Sequence, residues 1–291
     1  MLLIVGIIVV FGSVAGGYLM HGGSLLALNQ PSEFIIIGGA AIGALIISTP
    51  LPLLKALLGQ MKRYFSKPIS RDDYLDLLAL QYQLYKLTQQ SGVMALESHV
   101  EDPEKSSVFA KFPAFLQNHH AVAFMSDSIR VIILGGIAPH DLEALMDQDL
   151  EVHHETSLKP AQTLGKVADA LPGLGIVAAV LGVVITMQSI DGPPAEIGHK
   201  VAAALVGTFL GILASYGLVQ PMATSLEHIV DADGRYLSCI KSGLLAVYKG
   251  FPPAIAVEFA RRTLPDDVRP SFEETEAVCK GKRTADVPAA A

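Results

Sequence analysis

The sequence predicts an all-α integral membrane protein with four transmembrane helices, a large helical cytoplasmic insert and a helical C-terminal tail. Three observations carry this prediction. No charge lies between Asp169 and Asp191 or between Lys200 and Glu227, and each run is long enough for a helix to cross a hydrocarbon core of about 30 Å. Apolar residues make up 51% of the 291 positions and charged residues only 17%, with no Trp. Basic residues also crowd one side of the apolar stretches and avoid the other.

The first span is expected at about 2–20. It lacks a basic leader region and a clear cleavage site, so it reads as a retained helix rather than a signal peptide. Gly12 and Gly16 stand four apart, a spacing that lets a neighbouring helix approach closely. An uncharged loop from His21 to Pro31 leads through Glu33 into a second span at about 34–54, where Gly39 and Gly43 repeat the spacing. Pro50 and Pro52 end or kink that helix. Residues 1–54 thus form one transmembrane hairpin. Residues 170–226 form the other, with helices at about 170–190 and 201–226 and a turn at Asp191-Gly192-Pro193-Pro194.

Charge sets the orientation. Lys55, Lys62, Arg63, Lys67 and Arg71 follow the second span, whereas the loop from His21 to Glu33 has no Lys or Arg. The positive-inside rule places 55–169 and 227–291 in the cytoplasm and both short hairpin loops outside.

The insert at 55–169 reads as helical. Apolar residues recur at three- and four-residue intervals from Tyr74 to Tyr85, and further helical runs are expected at 112–134 and after Pro139. Gly92, Pro103, Pro113 and Gly135-Gly136 punctuate them. Residues 227–248 are amphipathic again, and a short run follows Pro252-Pro253. From Pro265 onward the polar composition predicts disorder.

Several function classes fall away. A net charge of −7 without basic runs argues against nucleic acid. Cys239 and Cys279 are far apart and fit reduced thiols rather than a disulfide or metal site. His119-His120 and His153-His154 are adjacent pairs, about 100° apart on a helix, without the i,i+4 geometry of a metal site. No nucleophile elbow, phosphate-binding loop or dinucleotide fingerprint appears in context, so neither an enzyme nor a cofactor is expected.

The spans carry no Asp, Glu, Lys, Arg or His away from their ends. Intramembrane ionisable groups mark ion paths, so a chain of this kind working with an ion gradient needs a partner to supply the titrating carboxylate. What it offers instead is polar backbone and hydroxyls. Pro172 either leaves a carbonyl one turn earlier open to water or a partner, or sits in a first helical turn where proline is tolerated. The Thr208 hydroxyl either bonds back to its own helix or faces a pore. Pro221 reads as a terminator or a hinge.

The order of motifs points to a family. Gly16-Gly17-Tyr18-Leu19-Met20, Gly22-Gly23-Ser24-Leu25 and Asp76-Leu77-Leu78-Ala79-Leu80 come first. Leu142-Glu143-Ala144-Leu145-Met146-Asp147, residues 171–184 and Val206-Gly207-Thr208-Phe209-Leu210-Gly211 follow. Pro252-Pro253-Ala254-Ile255-Ala256-Val257-Glu258-Phe259 and Arg269-Pro270-Ser271-Phe272 complete the set. Along nearly its full length the chain resembles the flagellar motor stator subunit of the MotA type, within the MotA/TolQ/ExbB proton channel superfamily.

The resemblance implies a homopentamer in the bacterial inner membrane around two copies of a MotB-type partner, whose single membrane helix bears the proton-binding Asp. Inward proton flow would turn the ring, whose cytoplasmic helices push the rotor protein FliG. Carried over by position, Pro172 and Pro221 match the prolines that couple ion flow to motion, and Thr208 the threonine beside the ion path. Ala179 stands where sodium-driven relatives place a Thr. Its methyl offers no oxygen to a hard cation, so the coupling ion is expected to be H+. Glu97 matches the acidic rotor-facing residue. The family's rotor-facing Arg falls on Gln89, and either Lys86, one turn earlier, supplies the charge or the interface distributes it elsewhere. An ExbB/TolQ-type energiser of outer-membrane processes is the alternative, but those relatives have three spans and no hairpin like residues 2–54. A secondary transporter is disfavoured by the missing intramembrane charges and the large insert.

Overall fold

The computed structural model describes residues 2–282 and is helical, with no strand among those residues. It divides into two units, Met1–Lys67 with Ser157–Ile229 and Pro68–Thr156 with Val230–Ala291.

The first unit holds the apolar helices. The first is α1 (Leu2–Met20), followed by the single turn α2 (Leu25–Leu28) and by α3 (Pro31–Ser48). Against the expected 34–54, α3 starts earlier and stops at Ser48. Thr49 is extended at φ −123° and ψ 120°, the conformation that a following proline imposes. Pro50 and Pro52 then open a separate helix, α4 (Leu51–Met61), where their missing N–H groups cost nothing.

The second unit is built around α5 (Arg71–Ser91). The Asp73 carboxylate accepts from the Ser70 N–H at 2.7 Å and its hydroxyl at 2.6 Å, fixing the start of the helix. Tyr74, Leu77, Leu78, Leu80, Leu84 and Tyr85 are fully enclosed. The short helices α6 (Glu97–Glu101) and α7 (Pro113–Gln117) lead to α8 (His119–Leu134). The expected run at 112–134 is therefore broken at Asn118, whose side chain leaves the ladder to cap α8 at the Ala121 N–H, 3.2 Å away.

The remaining helices are α9 (Pro139–Met187), α10 (Pro194–Ala214), α11 (Gln220–Tyr248), α12 (Pro253–Arg261) and α13 (Phe272–Cys279). A single π turn, Ser215–Val219, separates α10 from α11. The insert's last helix and the third span are one helix, α9, with Pro160 and Pro172 inside it. The change from acidic to apolar residues marks a change of surroundings and not a helix end. Four helical stretches are long and apolar enough to cross a membrane: Leu2–Met20, Leu25–Ser48, and parts of Pro139–Met187 and Pro194–Tyr248.

The disorder expected from Pro265 is not found as far as Lys282. Ser271 accepts from the Glu274 N–H at 3.2 Å, and the Glu274 carboxylate accepts from the Ser271 N–H at 2.6 Å. Arg71 pairs with Glu274 at 2.5 Å, and Val278 joins the α5 core. The last nine positions lie outside the described residues.

Glu258 ties down α12. Its carboxylate accepts from Arg261 at 2.7 and 2.8 Å and from Arg262 at 2.7 Å. These bonds pull its pKa down to about 2. A carboxylate so depressed stabilises the fold above its unfolded value of about 4.3 and loses that contribution as pH falls toward the folded value. Discounting for its partly solvated partners, Glu258→Gln costs about 1–2 kcal/mol at pH 7. The gap in Tm between the detergent-solubilised wild type and variant is expected to stay constant from neutral pH down to about 5, and to narrow as the pH falls from about 4.3 toward about 2. A gap independent of pH would show that the charge contributes nothing.

Candidate functional site

In the first unit, α9 and α10 cross at glycines and alanines, because any Cβ there would collide with backbone. A methyl at Gly211 would stand 2.7 Å from the Leu171 carbonyl oxygen and 2.8 Å from the Gly175 Cα. One at Gly175 would stand 2.9 Å from the Gly207 carbonyl oxygen. Farther along, Gly182 meets Ala204, with its would-be methyl 2.6 Å from the Ala204 Cβ. Lipid tails are as apolar as these side chains, so close backbone approach and the dispersion it brings are what hold such helices together.

Pro172 lies well inside α9, which disposes of the first-turn reading. Having no N–H, it cannot donate to the Ala168 carbonyl four residues back. The Ser215 hydroxyl, 1% exposed, donates to that oxygen at 2.7 Å from the other helix. Ser215 also opens the π turn, so α10 loosens its own ladder at the residue that completes the ladder of α9. π turns are rare and often mark functional sites. Pro221 stands two residues beyond this turn and is exposed on the single chain. Next to it the Met222 carbonyl accepts from the Tyr64 hydroxyl at 2.5 Å, which anchors the start of α11.

Ala179 and Thr208 adjoin the same crossing. The Ala179 nitrogen lies 3.3 Å from a Cβ built on Gly207, and the Thr208 Cα lies 3.3 Å from one built on Gly175. The Thr208 hydroxyl is in no hydrogen bond among the described residues, whereas Thr163 and Thr186 each bond back four residues, both at 2.8 Å. Pro172, Ala179 and Thr208 are thus gathered on one crossing, with Pro221 just past its π turn. Ser215 completes the set. Its signal in the sequence was its spacing: Thr208 and Ser215 are seven apart, two helical turns, on the face that carries Gly211.

One expectation changes. Glu33, read as a residue preceding the second span, is the third residue of α3, 5% exposed, and its Oε2 reaches Gly207. The spans have no charge at their centres by sequence, yet a carboxyl enters the helix packing sideways from a helix end.

The other sequence candidates belong to the second unit. Lys86 and Gln89 are exposed near the end of α5, and Glu97 is exposed at the first position of α6. Gly92 at φ +78°, a conformation that glycine adopts without strain, turns the chain between them. His120 and His153 come from different helices, and their rings lie 4.8 Å apart. The adjacency of each His pair in sequence gave no hint of this contact.

Residues 4–92 match the family described as Motility protein A N-terminal, and residues 116–237 match the MotA/TolQ/ExbB proton channel family. The chain is 43% identical over 277 residues to the Motility protein A of Salmonella typhimurium, covering 95% of this chain and 94% of that one. It is 44% identical to the Motility protein A of Escherichia coli with the same coverage. To the chemotaxis protein LafT of Vibrio parahaemolyticus it is 38% identical, covering 93% of this chain and 95% of the relative. The fold resembles C. jejuni MotAB, with a TM-score of 0.76 at 19% identity over 91% of this chain and 96% of that chain. It also resembles the flagellar MotAB stator complex from Bacillus subtilis, with a TM-score of 0.72 at 24% identity over 90% and 95% of the two chains.

Proposed function

This chain belongs to the MotA/TolQ/ExbB proton channel family as a flagellar motor stator subunit of the motility protein A type, and we propose how it couples inward proton flow to torque. Five copies surround two MotB-type chains in the bacterial inner membrane, with both termini cytoplasmic and lipid on the outer faces. The MotB-type partner supplies the carboxylate that binds the transported proton. The ExbB/TolQ alternative is not favoured, because the N-terminal hairpin matches motility proteins specifically.

The observation that supports coupling is the Pro172 break, whose freed Ala168 carbonyl is taken by Ser215 at the head of the π turn. A helix pair joined by one side-chain bond at a broken ladder can shift between two arrangements without stranding a buried polar group for long. Protonation of the partner's carboxylate removes a charge beside Pro172, Ala179 and Thr208, and so changes which ring subunit it packs against. α9 runs from Pro139 to Met187 as one helix, so the apolar stretch at the crossing and the acidic first turns belong to the same element. Lys86, Gln89 and Glu97 then meet the rotor protein FliG. No single charge there is decisive, since exposed pairs are worth about 0–1 kcal/mol.

The Ala179 methyl supports H+ as the coupling ion. The test is swimming speed after deleting and restoring this chain in cells without a second stator set, with external sodium varied at fixed pH and a protonophore added. Motility lost on deletion, indifferent to sodium and collapsed by protonophore is the expected result. Sodium dependence would overturn the ion assignment.

A further inference from the structure

Glu33 is a buried acid that the coupling scheme above does not use. Its side chain is 5% exposed, and its Oε2 is enclosed without a hydrogen-bond partner among the described residues. That oxygen occupies a niche made by the absence of a side chain at Gly207. A methyl there would stand 2.5 Å from Oε2, 3.0 Å from the Ala178 Cβ and 3.3 Å from the Ala179 nitrogen. The niche therefore lies on the α9–α10 crossing itself, next to Ala179 and Thr208.

The surroundings contain little to pair with a carboxylate. Glu33 is the only titratable residue of α3, and α9 has none between Asp169 and Asp191. α2 has none, and the Tyr18 phenol is the only titratable group of α1. α10 presents Glu196, His199 and Lys200 in its first turns and no titratable residue from Val201 to its end. Lys200 is engaged by Glu196 at 2.8 Å and by Ser189. An ionised carboxylate shut away from water without a cation or several donors is expensive, whereas the neutral acid loses only a hydroxyl's hydration. The niche accommodates the acid with its proton and does not accommodate the anion.

We propose that Glu33 is a proton-binding site contributed by this chain, in addition to the carboxylate of the partner. The carboxylate takes one proton from water onto a carboxyl oxygen, and the neutral acid seats against Gly207, clamping α3 on α10. Returning that proton to water restores the anion, which leaves the niche and frees α3. This rests on reading the α9–α10 crossing as the ion-coupling site. Glu33 acts as a positioning residue that senses the proton supply of that crossing.

The test uses the complex purified with its MotB-type partner, reconstituted in vesicles and titrated while infrared difference spectra are recorded. The wild type is expected to show a titrating carbonyl stretch of a protonated carboxylic acid that is absent in Glu33→Gln and displaced in Glu33→Asp. Superimposable spectra for wild type and Glu33→Gln overturn the proposal. So does an undisplaced band in Glu33→Asp, which decides the matter if the Gln variant does not accumulate. In cells, Glu33→Gln at normal membrane levels is expected to flatten the dependence of swimming speed on external pH, while Glu33→Asp retains it. A wild-type pH profile in Glu33→Gln would reduce the residue to packing. If wild-type motility instead follows sodium, the proton-driven reading fails, and the infrared band still decides whether Glu33 binds a proton.

Discussion

Gly211→Val is expected to abolish motility and to lower the Tm of the detergent-solubilised chain by about 6–10 °C. A Cβ at this position would stand 2.7 Å from the Leu171 carbonyl oxygen and 2.8 Å from the Gly175 Cα. Ordinary carbon contacts begin near 3.5 Å, so the helices would have to move apart by more than half an ångström. Overfilling a core usually costs about 1–3 kcal/mol, because side chains rotate away. Here the opposing atoms are backbone, which cannot rotate away, so the cost falls at or above the top of that range. Separation would also loosen the neighbouring contact of Gly175 with the Gly207 carbonyl and draw Ser215 away from Ala168. Gly198→Ala is the control: it lies on the same helix, and a methyl there meets nothing within 4 Å. It is expected to swim like wild type. Normal swimming by Gly211→Val, at a normal level in the membrane, would contradict the close crossing.

Charge-free length made the four spans legible in the sequence, because few other structures need about twenty uncharged residues in a row. Chemistry also announced one local feature, since a proline inside a helix frees the carbonyl four residues earlier wherever it occurs. The identity of the group that takes that carbonyl was not legible. Ser215 meets Ala168 only after two helices, 47 residues apart in sequence, have packed. Glu33 was missed for a related reason: its place at a helix end says nothing about sideways burial, which depends on a gap at Gly207. The tail was misread from composition although a local signal contradicted it. Ser271 and Glu274 have the spacing of a reciprocal helix cap, and that cap forms. The length of α9 was missed because acidic and apolar stretches have similar helical preference and differ in the solvent they suit. Composition reports surroundings, and capping reports conformation.

Pro172→Ala is expected to leave the chain at normal levels in the membrane while cutting torque at least tenfold. The substitution restores an N–H that can donate to the Ala168 carbonyl, mending the ladder of α9. A mended helix is locally more stable, so a loss of torque without a loss of protein points to coupling and not to folding. Ser215→Ala acts from the other side of the same bond. In the wild-type background it strands a buried carbonyl and costs about 1–3 kcal/mol. Combined with Pro172→Ala it is expected to cost little, because the restored N–H already satisfies that oxygen. The two substitutions are therefore non-additive, with a coupling of about 1–2 kcal/mol in a double-mutant cycle read from detergent unfolding. Additive losses would mean that Ser215 and Pro172 do not share the Ala168 carbonyl. Wild-type torque in Pro172→Ala would mean that the break in α9 is not used for motion. Stability recovered in the double variant while torque stays low would separate two roles at this site: the Ser215 bond fastens α10 to α9, and the proline break lets α9 move.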